Sequence, residues 1–600
     1  MGIYPQIAIL CIFFTLTWAK RPNIVFIITD DQDQRLGSLD YMPLLKKHIT
    51  DQGTRYKSHY CTIAICCPSR VSLWTGKAAH NTNVTDVVPP YGGYPKFVEQ
   101  RLNTNYLPIW LQESGYNTYY TGKLFNSHSV LNYNDPVPGG WTGSDFLLDP
   151  YTYQYYNASM SRNGAAPVSY EGQYSNDLIA TKVYGFLEDA IDDVEDKPFF
   201  LVAAPIGPHA NVDFEMGFSS AVSAPRHAHL FNGYKIPRMK NFNPDTPSGV
   251  NWIARLPKLN ETEIAYNDDF QRTRLQALQS VDEMVEGIVE RLEAASLLDN
   301  TYIIYTSDNG YHISQHRLHP GKSCGFEEDI NIPLIIRGPG VDPKKILKAV
   351  TSHTDLAPTI MKIAVGDHGL NHDFDGSPIP LTETSVGKKE HVNVEYWGRA
   401  FPEGAYGLPP IEFDIQGGIP LGYVNNTYKA LRLIGEGYNL YYSVWCTNEK
   451  ELYDLENDPD QLRNLASPQQ RPIAPNEPLL LKRQKFEVID RLDALLLVLK
   501  SCKGTTCIDP WRVLHPRGDV DSLSVALKPK FDRFYQAQPK VSFTKCEMGY
   551  LVESEGPQIA SIYGGATFGS PQTGLGSQRV IGRSENGDQY YGKSRWSDWT

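Results

Sequence analysis

Apolar residues along this chain fall into two textures. Up to about residue 410, short continuous apolar runs alternate with stretches of helical periodicity. Residues 23–29, 199–204, 302–306, 332–336 and 391–395 are such runs and predict strands buried on both faces of a mostly parallel sheet. Leu275, Leu278, Val281, Met284, Val285, Ile288 and Leu292 recur every three to four positions and predict one long amphipathic helix. Shorter helices are predicted at 42–52 and 107–114, stopped by Gly53 and Gly115. Strands alternating with helices predict an α/β sandwich.

Beyond residue 410 the runs shorten and partly alternate. Residues 428–434, 438–445 and 451–455 predict a small antiparallel sheet with hairpin connections. A helix is predicted at 479–499, and 555–600 is Gly- and Ser-rich with little periodicity, predicting loose packing. The expected organisation is a leader at 1–19, a main domain at 20–410, and a C-terminal subdomain and tail at 411–600.

The leader reading rests on the apolar run 7–18, too short to span a bilayer, and on Thr17-Trp18-Ala19 as a cleavage site. Residues 1–6 carry no Lys or Arg. No later stretch is apolar enough to cross a membrane, so a secreted protein is expected. Asn83, Asn157, Asn260 and Asn425 each open an Asn-x-Ser/Thr sequon, in keeping with secretion. A net charge of −12 gives no electrostatic footprint for nucleic acid. Of nine cysteines, Cys502 and Cys507 form the expected local disulfide.

Three polar clusters directly follow predicted strands: Asp30-Asp31, His209 and Asp308-Asn309. Open α/β sheets place their sites at the carboxyl ends of strands, so these distant residues are expected on one rim. Asp30, Asp31, Asp308 and Asn309 offer hard oxygen ligands, which suit Ca²⁺ or Mg²⁺; Ca²⁺ tolerates crowded carboxylates better. Taken singly, each pair reads sooner as a helix cap or a turn than as a ligand set.

Residues 66–76 read Cys-Cys-Pro-Ser-Arg-Val-Ser-Leu-Trp-Thr-Gly. The stretch resembles the Cys-x-Pro-Ser-Arg…Thr-Gly motif of type I sulfatases. Residues 29–33, 80–81, 305–312, 337–340 and 355–360 extend the resemblance over about 21–365, with a weaker match to 465. Phe125 stands where many sulfatases carry a histidine, and Asn126 next to it matches the branch resembling N-acetylglucosamine-6-sulfatases, where an Asn lies nearby.

The resemblance implies an alkaline-phosphatase-like sandwich. It also implies that Cys66 is oxidised to formylglycine, whose hydrated aldehyde attacks sulfur and later expels sulfate by returning to the carbonyl. Asp30, Asp31, Asp308, Asn309 and the modified Cys66 would hold one Ca²⁺. Arg70 and Lys123 would stand on the nucleophile side, His209 and Lys322 on the leaving-group side. A formylglycine-generating enzyme reading Pro68, Ser69 and Arg70 is an implied partner. The expected activity is hydrolysis of aryl or related sulfate esters. Alternatives are a sulfated-sugar hydrolase of the N-acetylglucosamine-6-sulfatase type, a phosphodiesterase or phosphonate hydrolase on the same fold, or a catalytically dead binding protein. His312, His316 and His353 are read as structural. Tyr-rich loops at 91–94 and 151–156 are read either as ring-stacking surfaces or as packing.

Overall fold

The run at 23–29 forms β1 (Asn23–Thr29), and all its residues are buried. Ile24, Phe26 and Ile28 enter one apolar cluster, while Val25 and Ile27 enter another on the opposite face. The strand has no wet face, which is why its sequence does not alternate. β2 (Thr54–Tyr60), β3 (Asn117–Gly122), β4 (Gly143–Leu147), β5 (Asn157–Arg162), β6 (Val168–Glu171), β7 (Phe199–Ala204), β8 (Thr301–Ser307), β9 (Leu334–Arg337) and β10 (Lys345–Ser352) complete a ten-stranded sheet. Its order is β10-β2-β9-β8-β1-β7-β3-β4-β5-β6. The middle strands β8, β1, β7, β3 and β4 are all parallel.

This is a computed structural model, and it describes residues 20–194, 197–213, 217–370, 372–383, 389–407, 422–467 and 479–558. The predicted leader and most of the Gly/Ser-rich tail lie outside the described residues. Glu555–Gly556, at the start of that predicted tail, nevertheless pairs with Ser542–Phe543. Among the described residues no helix is long and apolar enough to cross a membrane.

Helices cover both faces of the sheet. α1 (Cys66–Thr75) and α4 (Leu356–Val365) pack on the Ile24 face, and α2 (Ser175–Asp192) and α3 (Glu261–Ala294) on the Val25 face. α3 starts well before the predicted span. Asn260 caps it, its side chain accepting from Glu263 N while the Glu263 carboxylate accepts from Asn260 N. The predicted helix at 42–52 is shorter, a turn at Pro43–Leu45 running into Lys46–Thr50.

Two predicted strands sit differently from expectation. The run at 332–336 forms β9, but antiparallel to β8. Its connection holds only the one-turn helix Glu327–Ile330, so the chain turns back instead of crossing over the sheet. The run at 391–395 does not join this sheet. It forms β11 (His391–Tyr396), the edge of a second, antiparallel sheet with β12 (Tyr428–Gly435), β13 (Tyr438–Trp445) and β14 (Lys450–Asp454). Val392, Val394 and Tyr396 join an apolar cluster while His391, Asn393 and Glu395 take the other face. That alternation is the signature of a two-faced antiparallel strand. α5 (Lys485–Leu499) packs on this sheet and begins later than predicted. Disulfides join Cys446 to Cys546 and Cys502 to Cys507, leaving Cys61, Cys66, Cys67 and Cys324 as buried thiols.

Candidate active site

Six pieces of chain meet at the carboxyl rim of the sheet. Asp30 and Asp31 follow β1, Lys123 follows β3, His209 lies just beyond β7, and Asp308 and Asn309 follow β8. Cys66 and Arg70 come from the first turns of α1, and Lys322 from the loop between β8 and β9. A Cβ at Gly310 would lie 2.1 Å from the Glu328 carbonyl, so the turn that presents Asp308 and Asn309 requires glycine. Asp31 has φ 64, a left-handed conformation that a non-glycine residue holds only when its surroundings impose it.

Every residue expected at the site is there, and all are buried. Cys66 Sγ lies 3.5 Å from Asp30 Oδ1 and 3.8 Å from Asp31 Oδ1. Lys123 Nζ donates to Asp30 Oδ2 at 2.6 Å. Arg70 donates to Asp308 Oδ2 at 2.8 Å and to the Lys123 carbonyl at 2.7 Å. On the other side, Lys322 Nζ donates to both Asp31 oxygens at 2.8 and 2.6 Å. His209 Nε2 is 3.5 Å from Asp31 Oδ2, while its Nδ1 is 2.7 Å from the Ala210 carbonyl. Lys123 and Arg70 thus pair with Asp30 and Asp308, whereas Lys322 and His209 approach Asp31.

Burial and the neighbouring Asp308 push Asp30 up to about 7, in spite of Lys123 and Arg70. Burial also works against the charges on Asp31 and Asp308. Lys322 and His209 overcome it at Asp31, and Arg70 and Lys123 at Asp308, so both stay below the usual carboxylate range. Burial drives the Cys66 thiol well above its ordinary value despite the two lysines. As a plain cysteine it would remain a thiol, a poor nucleophile. Burial also lowers His209 to about 4.

The donor set fits a hard cation. Asn309 Nδ2 donates to Asp31 Oδ1 at 2.8 Å, and its buried Oδ1 has no hydrogen-bond partner. An orphaned amide oxygen beside crowded carboxylates is what a cation would satisfy. Ligand atoms of Asp30, Asp31, Cys66 and His209 lie within 4.8 Å of one another.

Several supporting residues were not foreseen. Arg274, in the middle of α3, donates to the carbonyls of Asp31 (2.6 Å) and Pro208 (3.2 Å), tying the β1 and β7 loops together. A lone arginine among the helix's apolar positions was the available signal. Ser69 donates to the Asp308 carbonyl (2.6 Å) and meets His353 Nδ1 (2.8 Å). His353 therefore braces the site from behind, in keeping with its structural reading. His312 pairs with Asp329 (2.7 Å), and His316 stacks on Phe326 (3.7 Å). Of the Tyr-rich loops, Tyr153 stacks on His209 at 4.2 Å and lies under Lys123, whereas Tyr94 is packed against Phe97 and His128. Phe125 is buried in the core, and Asn126 donates to the Tyr153 hydroxyl at 2.7 Å. Of the sequon residues, Asn260 and Asn425 are exposed and Asn83 and Asn157 half-buried.

Comparison with known proteins gives a consistent picture. A family model described as Sulfatase matches residues 22–366. An arylsulfatase of Volvox carteri is 37% identical over 560 residues, covering 88% of this chain and 82% of its own. An N-acetylglucosamine-6-sulfatase of Capra hircus is 33% identical over 83% of this chain and 86% of its own. A solved structure described as in complex with its substrate D-glucosamine-2-N,6-O-disulfate covers 75% of this chain and 94% of its own. It has 23% identity and a TM-score of 0.58, a likeness of fold.

Proposed function

Because the chain belongs to the sulfatase family and hydrolyses sulfate esters, we propose that it does so as a formylglycine-dependent arylsulfatase. The observation that carries this reading is the setting of Cys66. It stands at the start of a helix, 3.5 Å from the Asp30 carboxylate, with two buried lysines near enough to act on it. A thiol held protonated by burial is useless there as a nucleophile, but a side chain converted to a hydrated aldehyde is not.

Asp30, Asp31, Asp308 and Asn309 would hold a divalent cation, Ca²⁺ by the hardness and crowding of the oxygen donors. When bound, the cation would supply positive charge that polarises the sulfate. The chain's own contribution is fixed charge. Lys123 and Arg70 stabilise negative charge on the nucleophile side; Lys322 does so on the leaving-group side, where His209 Nε2 can hydrogen-bond the departing oxygen. Arg274 and Ser69 keep the three strand-end loops in register.

A second reading, a sugar sulfatase of the N-acetylglucosamine-6-sulfatase type, is favoured by the Capra hircus relative. Secretion, with carbohydrate on exposed Asn260 and Asn425, and modification by a formylglycine-generating enzyme belong to the same proposal. Mass spectrometry of the tryptic peptide ending at Arg70 tests it. Active protein should show formylglycine at position 66 and cysteine at 67; an intact Cys66 in fully active enzyme would overturn it.

A further inference from the structure

Glu403 is a carboxylate placed where an anion must bind. Its Oε1 lies 2.9 Å from Lys322 Nζ. The residue is only 6% exposed, and Oε2 is buried without a hydrogen-bond partner. The segment carrying it is pinned to the Lys322 loop: Glu403 N donates to the Pro320 carbonyl at 2.7 Å, and Pro402 bridges to Gly321. Glu403 therefore stands beside Lys322, on the side that the proposed function gives to the leaving group.

A negative charge there opposes a sulfate ester. Nor does Lys322 need it as a counter-ion, since Asp31 is 2.6 Å from the same ammonium. What the carboxylate does add is an acceptor. Lys123, Lys322 and Arg70 are donors only. A leaving group bearing further hydroxyls brings donors of its own, and these need an acceptor once buried. Beside Lys322 opens a cavity lined by Trp252, His312, Phe401 and Tyr423. The Trp252 and Tyr423 rings stack on each other 4.2 Å apart at 14° and form one side of this cavity.

We infer that Glu403 is a specificity residue whose Oε2 accepts a hydrogen bond from a free hydroxyl of the leaving group, so that the site favours sulfated sugars over simple aryl sulfates. The inference rests on the sulfatase reading and, within it, takes the sugar-ester reading over the aryl one. A site built to bind a hydroxyl discriminates strongly against an analogue lacking it, because the buried acceptor is then left unpaired.

The test compares the wild-type enzyme with Glu403→Gln and Glu403→Ala. Substrates are glucosamine 6-sulfate, its 3-deoxy and 4-deoxy analogues, and 4-nitrophenyl sulfate. In the wild type, one deoxy analogue should lose roughly ten- to a hundredfold in kcat/KM. In the variants the parent sugar should fall by a similar factor, that deoxy analogue should fall little further, and the sugar-to-aryl ratio of kcat/KM should drop. Equal losses on all four substrates would assign Glu403 to holding Lys322 and overturn the proposal. So would wild-type turnover of both deoxy analogues at the parent rate, a result that depends on no variant. Absence of turnover on every ester would instead overturn the sulfatase reading beneath it.

Discussion

Two clusters of buried charge among the described residues make a contrast, the candidate site at the sheet rim and a structural one beside the small sheet. In the second, Glu395, at the end of β11, accepts from Lys429 Nζ at 2.8 Å and meets His80 Nδ1 at 2.8 Å. Lys429 also faces Glu555 at 3.5 Å and lies over the rings of Trp397 and Tyr550. His80 Nε2 is 2.8 Å from the Cys502 carbonyl. Burial opposes both charges of the pair, but His80 and Lys429 hold Glu395 well below the ordinary range, and Glu395 holds His80 above its own. Every charge there meets an opposite one. At the rim of the large sheet each aspartate also meets a cation, but Asp308 crowds Asp30, which burial helps drive up to about 7, and the Asn309 amide oxygen is orphaned. What sets the rim apart is carboxylate crowding beside an orphaned amide oxygen, not the density of buried charge.

The comparison can be broken in four ways. Cys66→Ala should lower turnover by at least about 10⁴-fold while the cooperative unfolding transition stays where it was, because the lost group is chemical and not structural. A variant retaining more than a few per cent of activity would remove Cys66 from the mechanism. Exhaustive chelation should cost about a thousandfold in rate, with Ca²⁺ restoring it and metal analysis finding about one ion per chain. Full activity in demonstrably metal-free protein would make the open cluster a closed one.

Glu395→Gln should destabilise the fold by about 3–5 kcal/mol in denaturant titration, since it leaves Lys429 buried without its nearest counter-ion. Turnover per folded molecule should be unaltered. Asp30→Asn, measured in chelated protein, should cost clearly less, because it relieves crowding; the reverse order would contradict the contrast. The smallest effect concerns His128, packed against Tyr94 and Phe146, where burial lowers the imidazole to about 4 from an ordinary 6.5. The unfolded chain takes up that proton first, so stability is present above about 6.5 and is lost as pH falls towards 4. His128→Phe should therefore shrink the stability difference between pH 7 and pH 5 by about 2 kcal/mol. An undiminished difference would place the acid sensitivity elsewhere.

Much of the site was legible because its carriers are legible. β1, β7 and β8 are buried on both faces, so their sequences are unbroken apolar runs, and Asp30, Asp31, Asp308 and Asn309 stand directly after them. β2 and β3 were not foreseen. Thr-Arg-Tyr-Lys-Ser-His-Tyr and Asn-Thr-Tyr-Tyr-Thr-Gly satisfy their polar groups through tertiary partners, such as Thr351 on His59, that no local pattern announces. β11 was placed in the wrong sheet because its two valines were read as a run, although polar His391, Asn393 and Glu395 separate and flank them. Glu403 was invisible for a different reason. It reaches Lys322 from a segment eighty residues away in sequence, following a strand of the other sheet.

The burial of α1 carries a consequence for how the protein is made. Cys66, Ser69 and Arg70 are no more than 2% exposed, Pro68 is buried with them, and all four are wound into helix, with Arg70 clamped to Asp308 and Ser69 to the backbone beside it. An enzyme that recognises these residues by sequence needs them extended and within reach, a state the finished fold does not offer. On the proposed conversion of Cys66 to formylglycine, maturation would be a race: the chain would have to be read before α1 docks, and a molecule that folded first would be sealed with an inert thiol at its centre. Conditions that hurry folding would lower the active fraction without changing the structure, and two preparations with identical melting curves could differ severalfold in specific activity.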